Sequence, residues 1–373
     1  MRILIAGDFC PINRTEDLVN QENHAGIFNE FLSIIENSQL AIVNLECPLT
    51  NSDSSINKIG PSLKASPKAA GILAKAGFNV VTLANNHIMD FGSAGLQQTL
   101  EVCRSNGILC VGAGENLEQS RKHLVVEIDT YKVAIVNFTE NEFSTTHGSN
   151  PGANPLNIVE NYREIKKAKD FADYIIVIVH SGNEMYDLPS PRIKETFRFF
   201  AEAGASAVIG HHPHVPGGFE IHNQVPIFYS LGNFVFDYPG VKDRRWNLGY
   251  AVELYLGDES GFRIIPFEHS LNQPGIRVLK EDEEKSFNQH LAALNSIILD
   301  DSLLNKEYNE FCKKNKNLYF SYLEPHSISL LHYLRNRNLF PSFLTKRKKK
   351  TYLNLFRCES HRDVIENLLR NEL

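Results

Sequence analysis

The sequence predicts an α/β fold whose sheet is covered on both faces, and three observations predict it. Short, near-continuous Val/Ile/Leu runs alternate with segments of helical spacing through the first half of the chain. Such runs lack the apolar–polar alternation of a sheet with one wet face, so they read as buried strands between helices. Five of the strand-like runs end in Asp, Glu, Asn or His, at the carboxyl ends of strands where open α/β sheets bind their ligands.

The elements follow in order. Residues 2–6 form the first strand, and a helix is expected over 25–36 before a second strand at 40–45. Helical spacing of Ala69, Ile72, Leu73 and Ala76 marks a helix at 67–76, which Gly77 ends. A strand at 79–83, a helix at 95–105 followed by Gly107, and a strand at 108–111 come next. Residues 124–128 and 133–138 read as a hairpin, and a Gly/Pro/Asn-rich loop leads to a charged helix ending near Lys169. A buried strand at 174–179 and a helix at 193–203 precede the apolar run 205–209, which feeds Gly210-His211-His212-Pro213-His214. Beyond residue 225 the runs at 225–230, 250–256 and 262–268 succeed one another without helices, which predicts an antiparallel closure. Composition shifts near Lys280. The expected division is a main domain at 1–275 and a mostly helical extension at 280–373.

Bulk composition narrows the function classes. With 373 residues and 42% hydrophobic content, the chain can bury one large core or two smaller ones. A net charge of -6 gives no general pull toward nucleic acid. The six cysteines are scattered without a CxxC pair, which predicts reduced thiols and a cytoplasmic location. Asp8 ends the first apolar run too early for a secretory leader, and no run reaches the ~18 apolar residues of a bilayer span. A Lys-Arg-Lys-Lys-Lys run at 346–350 beside Leu339, Phe340, Phe343 and Leu344 offers contact with an anionic membrane. The expectation for it is a solvated helix face packed on the core.

The chemistry-bearing residues lie at the strand ends. Asp8 follows Gly7 after the first strand, and Asn44 and Glu46 end the second, two positions apart and so on one face. In Asn85-Asn86-His87 an amide oxygen stands beside an imidazole suited to proton transfer, and Asp90 is placed to orient that ring. His180 opens His180-Ser181-Gly182-Asn183-Glu184, in which Glu184 anchors the loop. On an extended segment His212 and His214 point to one side and His211 points away. Together these form an oxygen-and-imidazole set suited to one or two divalent ions, Mn, Fe or Zn, rather than a cysteine-rich structural zinc. Two neighbouring ions are a recurrent device for displacement at a phosphoryl centre.

At these residues the sequence resembles the CapA family of poly-γ-glutamate capsule biosynthesis, within the calcineurin-like metallophosphoesterase superfamily. The matching phrases are GDFCP (7–11), NLECPLT (44–50), LANNHIMDFG (83–92), HSGNE (180–184), GHHPHVPGG (210–218) and YSLGNFVFD (229–237). The resemblance covers roughly the first 268 residues and implies an αββα sandwich with a helical C-terminal extension. It implies metal ligation by Asp8, Asn44, Glu46, Asn86, His180, His212 and His214. Catalytic roles fall to His87, Asp90 and Glu184, and substrate contacts to Asn85, His211 and Asn233. Cys10 stands where the superfamily's first motif has histidine, and Glu46 where its second has aspartate. The function expected is phosphoester-type hydrolysis in capsule or exopolymer synthesis, on an anionic polymer or phosphoester and alongside other capsule-biosynthesis proteins. The competing reading is a non-catalytic polymer-binding or assembly component.

Overall fold

The computed structural model describes residues 1–257, 260–323 and 344–372. Its organising strand is Arg2–Cys10. Ile3 and Ile5 enter one apolar cluster and Leu4 and Ala6 another, as a side-chain period of two requires. The parallel neighbours Leu40–Leu45 and Val80–Thr82 repeat the split. Ile42 and Val80 fall with Ile3, whereas Ala41, Val43 and Val81 fall with Leu4. Strands apolar on both faces are therefore what the unbroken Val/Ile/Leu runs encode. Each fully buried Ile or Val contributes roughly 1.5–3 kcal/mol.

One cluster lies between two sheets. The eight-stranded first sheet runs Ile276–Val278, Gly261–His269, Leu248–Tyr255, Arg2–Cys10, Leu40–Leu45, Val80–Thr82, Leu109–Val111, with Asn233–Phe236 paired beside the end of Arg2–Cys10. The six-stranded second sheet runs Phe219–His222, Val225–Phe228, Ala207–His211, Tyr174–His180, Tyr131–Thr139, Leu124–Ile128. Helices between Arg14 and Ser105 cover the outer face of the first sheet through Phe28, Phe31, Ile35, Leu73 and Leu96. Ile158–Ala168 and Pro191–Ala203 cover the second through Ile165, Phe197 and Phe200. The result is a four-layered αββα sandwich.

Three expectations change. The helix expected over 25–36 is broken into His24–Phe28, a 3-10 turn at Asn29–Phe31, and Leu32–Glu36. That break turns Phe28 and Phe31 together onto Phe234. The closing strands do not form one antiparallel unit. Val225–Phe228 joins the second sheet parallel to Ala207–His211, and only the later strands make the antiparallel edge of the first. Asn233–Phe236, unforeseen, lies parallel to the first strand. Its SLGNF context has too few residues to show a period.

After residue 280 the helices Glu281–Leu299 and Asp301–Leu323 pack on the second sheet's side, with Leu291, Leu294 and Ile298 in its apolar cluster. The Lys194 ammonium, nearly fully buried, donates to the Ile298 carbonyl and pairs with Asp301 at 2.5 Å. A cation is favourable at a helix C-terminus. The basic run lies on Lys346–Arg357, capped by Thr345, whereas Leu339, Phe340 and Phe343 fall outside the described residues. Among the described residues no helix is long and apolar enough to cross a membrane.

The pairing of Asn233–Phe236 beside the end of the first strand depends on Gly7. A Cβ there would sit 2.0 Å from the Gly232 carbonyl oxygen, which accepts the Asp8 amide at 3.1 Å. Gly7→Ala is therefore expected to lose roughly 3 kcal/mol or more, since the obstacle is backbone and cannot rotate away. A urea midpoint equal to that of the parent chain would contradict this reading.

Candidate metal centre

Both sheets direct the carboxyl ends of their parallel strands to one edge of the sandwich, and the site forms there. Asp8 lies between two register shifts in its pairing with the flanking strands, irregularities that re-aim a side chain. Asn44 is opposite Asp8 on Leu40–Leu45, and His211 is opposite His180 across the second sheet. His212 and His214 follow with φ of 100° and 60°, so they are not on an extended segment. The loop brings both imidazoles inward by left-handed turns rather than by strand alternation.

The ligating atoms of Glu46, His212 and His214 all lie within 4.8 Å of one another. His214 Nε2 is 3.4 Å from Glu46 Oε1, and His180 Nε2 is 3.9 Å from the same oxygen. His180 Nε2 is also 3.1 Å from His212 Nδ1 and 3.0 Å from Asn86 Oδ1. Asp8 lies beneath: its Oδ2 is 3.6 Å from His214 Nδ1 and accepts the His212 amide at 3.4 Å. Both oxygens of Glu46 are buried without a hydrogen-bond partner. Leaving such a carboxylate unsatisfied costs several kcal/mol unless a cation or proton meets it. The donor set, its convergence and this orphaned carboxylate fit a divalent ion.

The electrostatics agree. Burial, then the charge of Asp8, pushes the Glu46 carboxyl well above the usual carboxylate range. Burial pushes Asp8 up as well, but His211, His180 and His214 hold it well below its ordinary value. Burial lowers His180 strongly and His214 less, the latter opposed by Asp8. Both rings are therefore neutral, the form that ligates a metal.

Several residues support this centre rather than join it. Asn233 Oδ1 accepts His214 Nδ1–H at 3.0 Å, which leaves the Nε2 lone pair facing Glu46. Its amide group donates to the His214 and Trp246 carbonyls, so its side chain is committed to orienting a ligand rather than to substrate. Asn44 donates to Asp8 at 2.8 Å while its own oxygen accepts Thr82 Oγ1 at 3.2 Å, so it braces Asp8 with a donor group. Asn85 donates to the Leu45 carbonyl and accepts the His87 and Ile88 amides, which commits it to shaping the loop. His211 does not point away. Its Nδ1 is 3.1 Å from Asp8 Oδ1, without the alignment of a hydrogen bond. Glu184 is exposed, near enough for its charge to raise Glu46. Cys10 is buried, and its thiol is raised by burial and then by its hydrogen bond with Cys47.

His87 stands beside the centre in a separate arrangement. Its Nδ1 is 2.7 Å from Asp90 Oδ2, and Asp90 Oδ1 pairs with Lys58, whose side chain is 4% exposed. Asp90 Oδ2 also accepts the Leu63 amide at 2.8 Å. Asp90 Oδ2 and Lys58 Nζ, the latter 3.1 Å away, both face Nδ1, which leaves Nε2 turned away from them. Lys58 was invisible in the sequence, because a lysine in a polar loop reads as solvated. Only the folding of residues 51–67 back over Asp90 buries it.

A support behind His214 carries a pH signature. His269 donates Nε2–H to the Trp246 carbonyl at 2.8 Å, and the Trp246 and His214 rings lie 4.8 Å apart. Burial pushes His269 down to about 4 from 6.5. The unfolded chain thus binds this proton first as pH falls. The stability it contributes is complete above pH 6.5 and is lost toward pH 4, roughly 3 kcal/mol in all. Urea titrations at neutral and acid pH should show a smaller acid loss in His269→Gln than in the parent, and equal losses would exclude His269 as the source.

With this geometry in place, residues 2–238 match the family described as bacterial capsule synthesis protein PGA_cap. The chain belongs to the bacterial capsule synthesis protein family. Within it, the capsule biosynthesis protein CapA of Bacillus anthracis is 32% identical over 246 residues, 64% of this chain and 60% of that protein. The PGA biosynthesis protein CapA of Bacillus subtilis is 31% identical over 240 residues, 62% of each chain. This family member thus spans somewhat under two thirds of those relatives. Among solved structures, a hypothetical protein from Thermus thermophilus aligns over 72% of this chain and 99% of its own (TM-score 0.47, 16% identity). A 5'-nucleotidase from Staphylococcus aureus described as putative aligns over 77% and 57% (TM-score 0.42, 14% identity). The matched span of the family takes in every ligating residue of the candidate centre and ends before the C-terminal helices.

Proposed function

We propose that this chain is a metal-dependent hydrolase of phosphoester-type bonds in capsule or exopolymer synthesis, acting on an anionic polymer or phosphoester. The observation that carries the reading is the orphaned Glu46 carboxylate among the converging imidazoles of His180, His212 and His214. These four, with Asp8 and Asn86, would hold Mn, Fe or Zn. A bound divalent ion supplies Lewis acidity toward an anionic oxygen and activates water. Asn233 fixes the face that His214 presents, and Asp90 fixes His87 so that Nε2 is the proton-donating atom for a leaving group. Partner proteins of capsule synthesis belong to the same reading, and a cytoplasmic site of action is consistent with its uniformly free cysteines.

One observation favours a second reading. Cys10 is engaged with Cys47, and Asn44 turns a donor toward Asp8, so one half of the centre is short of ligands. A single-ion site that binds an anionic polymer without cleaving it follows from that. Metal analysis with a model phosphodiester and monoester separates the two. Metal-dependent turnover that disappears in Asp8→Asn supports hydrolysis. Stoichiometric metal without turnover supports binding, and no metal after reconstitution removes both.

A further inference from the structure

We propose that Glu142, Cys358 and His361 form a separate metal site, suited to zinc, that joins the C-terminal helices to the loop after the strand Tyr131–Thr139. The ligating atoms of these three lie within 4.8 Å of one another, as do those of the Glu46 group, yet they share no residue with it. They come from two remote parts of the chain. Glu142 follows the strand end, whereas Cys358 and His361 lie at the junction between Lys346–Arg357 and Glu359–Glu372.

The geometry admits a tetrahedral ion in place of the Glu142–His361 ion pair. His361 Nε2 is 3.5 Å from Glu142 Oε1, longer than a good charged hydrogen bond. With zinc bonds of roughly 2.0–2.3 Å, the ligand–ligand edge of a tetrahedron is roughly 3.5 Å. Tyr319 Oη is 3.0 Å from His361 Nδ1, an outer partner that leaves Nε2 toward Glu142. Cys358 is almost fully buried, and its sulfur makes a long 3.9 Å contact to Glu140 and accepts the His361 backbone N–H.

The surrounding contacts hold the three in place before any ion arrives. Arg192 bridges Glu140 at 2.7 Å and Asp363, joining the strand-end loop to the last helix. Ser360 Oγ donates to Glu140 at 2.8 Å, and Asn141 donates to Glu359 at 2.6 Å. A preformed frame of this kind lowers the ordering cost of ligation. Thiolate, imidazole and carboxylate together select a borderline-soft ion, and a three-residue set leaves a fourth position for water or a ligand. A cysteine in the set distinguishes it from the oxygen-and-imidazole centre nearby.

Cobalt(II) and zinc(II) loading of the chelator-treated full chain tests this. Cys358→Ser and His361→Gln should each lose about one ion per chain by elemental analysis. The sulfur-to-cobalt charge-transfer absorption should vanish in Cys358→Ser and survive in His212→Ala. His361→Gln, at a partly exposed position, carries the count if the buried serine prevents folding. Unchanged stoichiometry in a folded variant, or an absorption band indifferent to Cys358, would leave only a Glu–His ion pair and overturn the site.

Discussion

Glu46→Gln is expected to weaken divalent-metal binding by roughly a hundredfold or more while making the metal-free protein more stable. The two effects share one cause. Glu46 is fully buried, and neither of its oxygens has a hydrogen-bond partner, so without an ion the carboxylate is a liability. Its carboxyl is pushed well above the usual range by burial and by Asp8, and the folded chain therefore retains a proton that the unfolded chain has released. Stability from this group falls as pH rises above its ordinary 4.5, and glutamine has no such slope. The gain should be roughly 1–3 kcal/mol and larger at pH 8 than at pH 5. Thermal unfolding of chelator-treated protein at both values, with metal titration beside it, reads both arms. A variant that unfolds more easily and keeps its metal would show that Glu46 serves packing alone.

How much of this was legible in the sequence depended on whether the deciding interaction is local. The parallel strands were, because burial on both faces writes an unbroken apolar run such as Ile3-Leu4-Ile5-Ala6. The helix at Lys68–Ala76 was, because its period and the left-handed Gly77 are local signals. Strand-end carboxylates and imidazoles were legible as a set, since their chemistry is shared. Their division into ligands and supports was not. Whether Asn44, Asn85 or Asn233 turns an oxygen or an amide group toward the centre is decided by Thr82, Leu45 and Trp246, each distant in sequence. The inward turn of His211 was hidden for a related reason. Residue alternation gives a side chain's face, but it does not reveal that the first sheet delivers Asp8 to that face. The C-terminal helices carry no motif, and the relation of Cys358 and His361 to Glu142 exists only after docking.

Asp90→Asn is expected to lower the turnover number by about 10²–10⁴ with little change in KM, and to destabilise the fold by roughly 3–5 kcal/mol. Asp90 lies between two groups that it holds in place. His87 Nδ1 is 2.7 Å away, and the Lys58 ammonium is paired on the other oxygen with only 4% of its side chain exposed. An asparagine retains the shape but can turn its amide group toward His87 Nδ1, so the ring loses the acceptor that fixes which nitrogen faces the leaving group. It also leaves Lys58 buried without its carboxylate, which accounts for the stability loss. These two consequences separate. Adding Lys58→Met to Asp90→Asn should restore most of the stability, since the uncompensated cation is gone, yet leave turnover low. Turnover should stay low across the pH range in both variants. Recovery of turnover together with stability would show that Asp90 acts only by holding the loop, and that the proton comes from elsewhere.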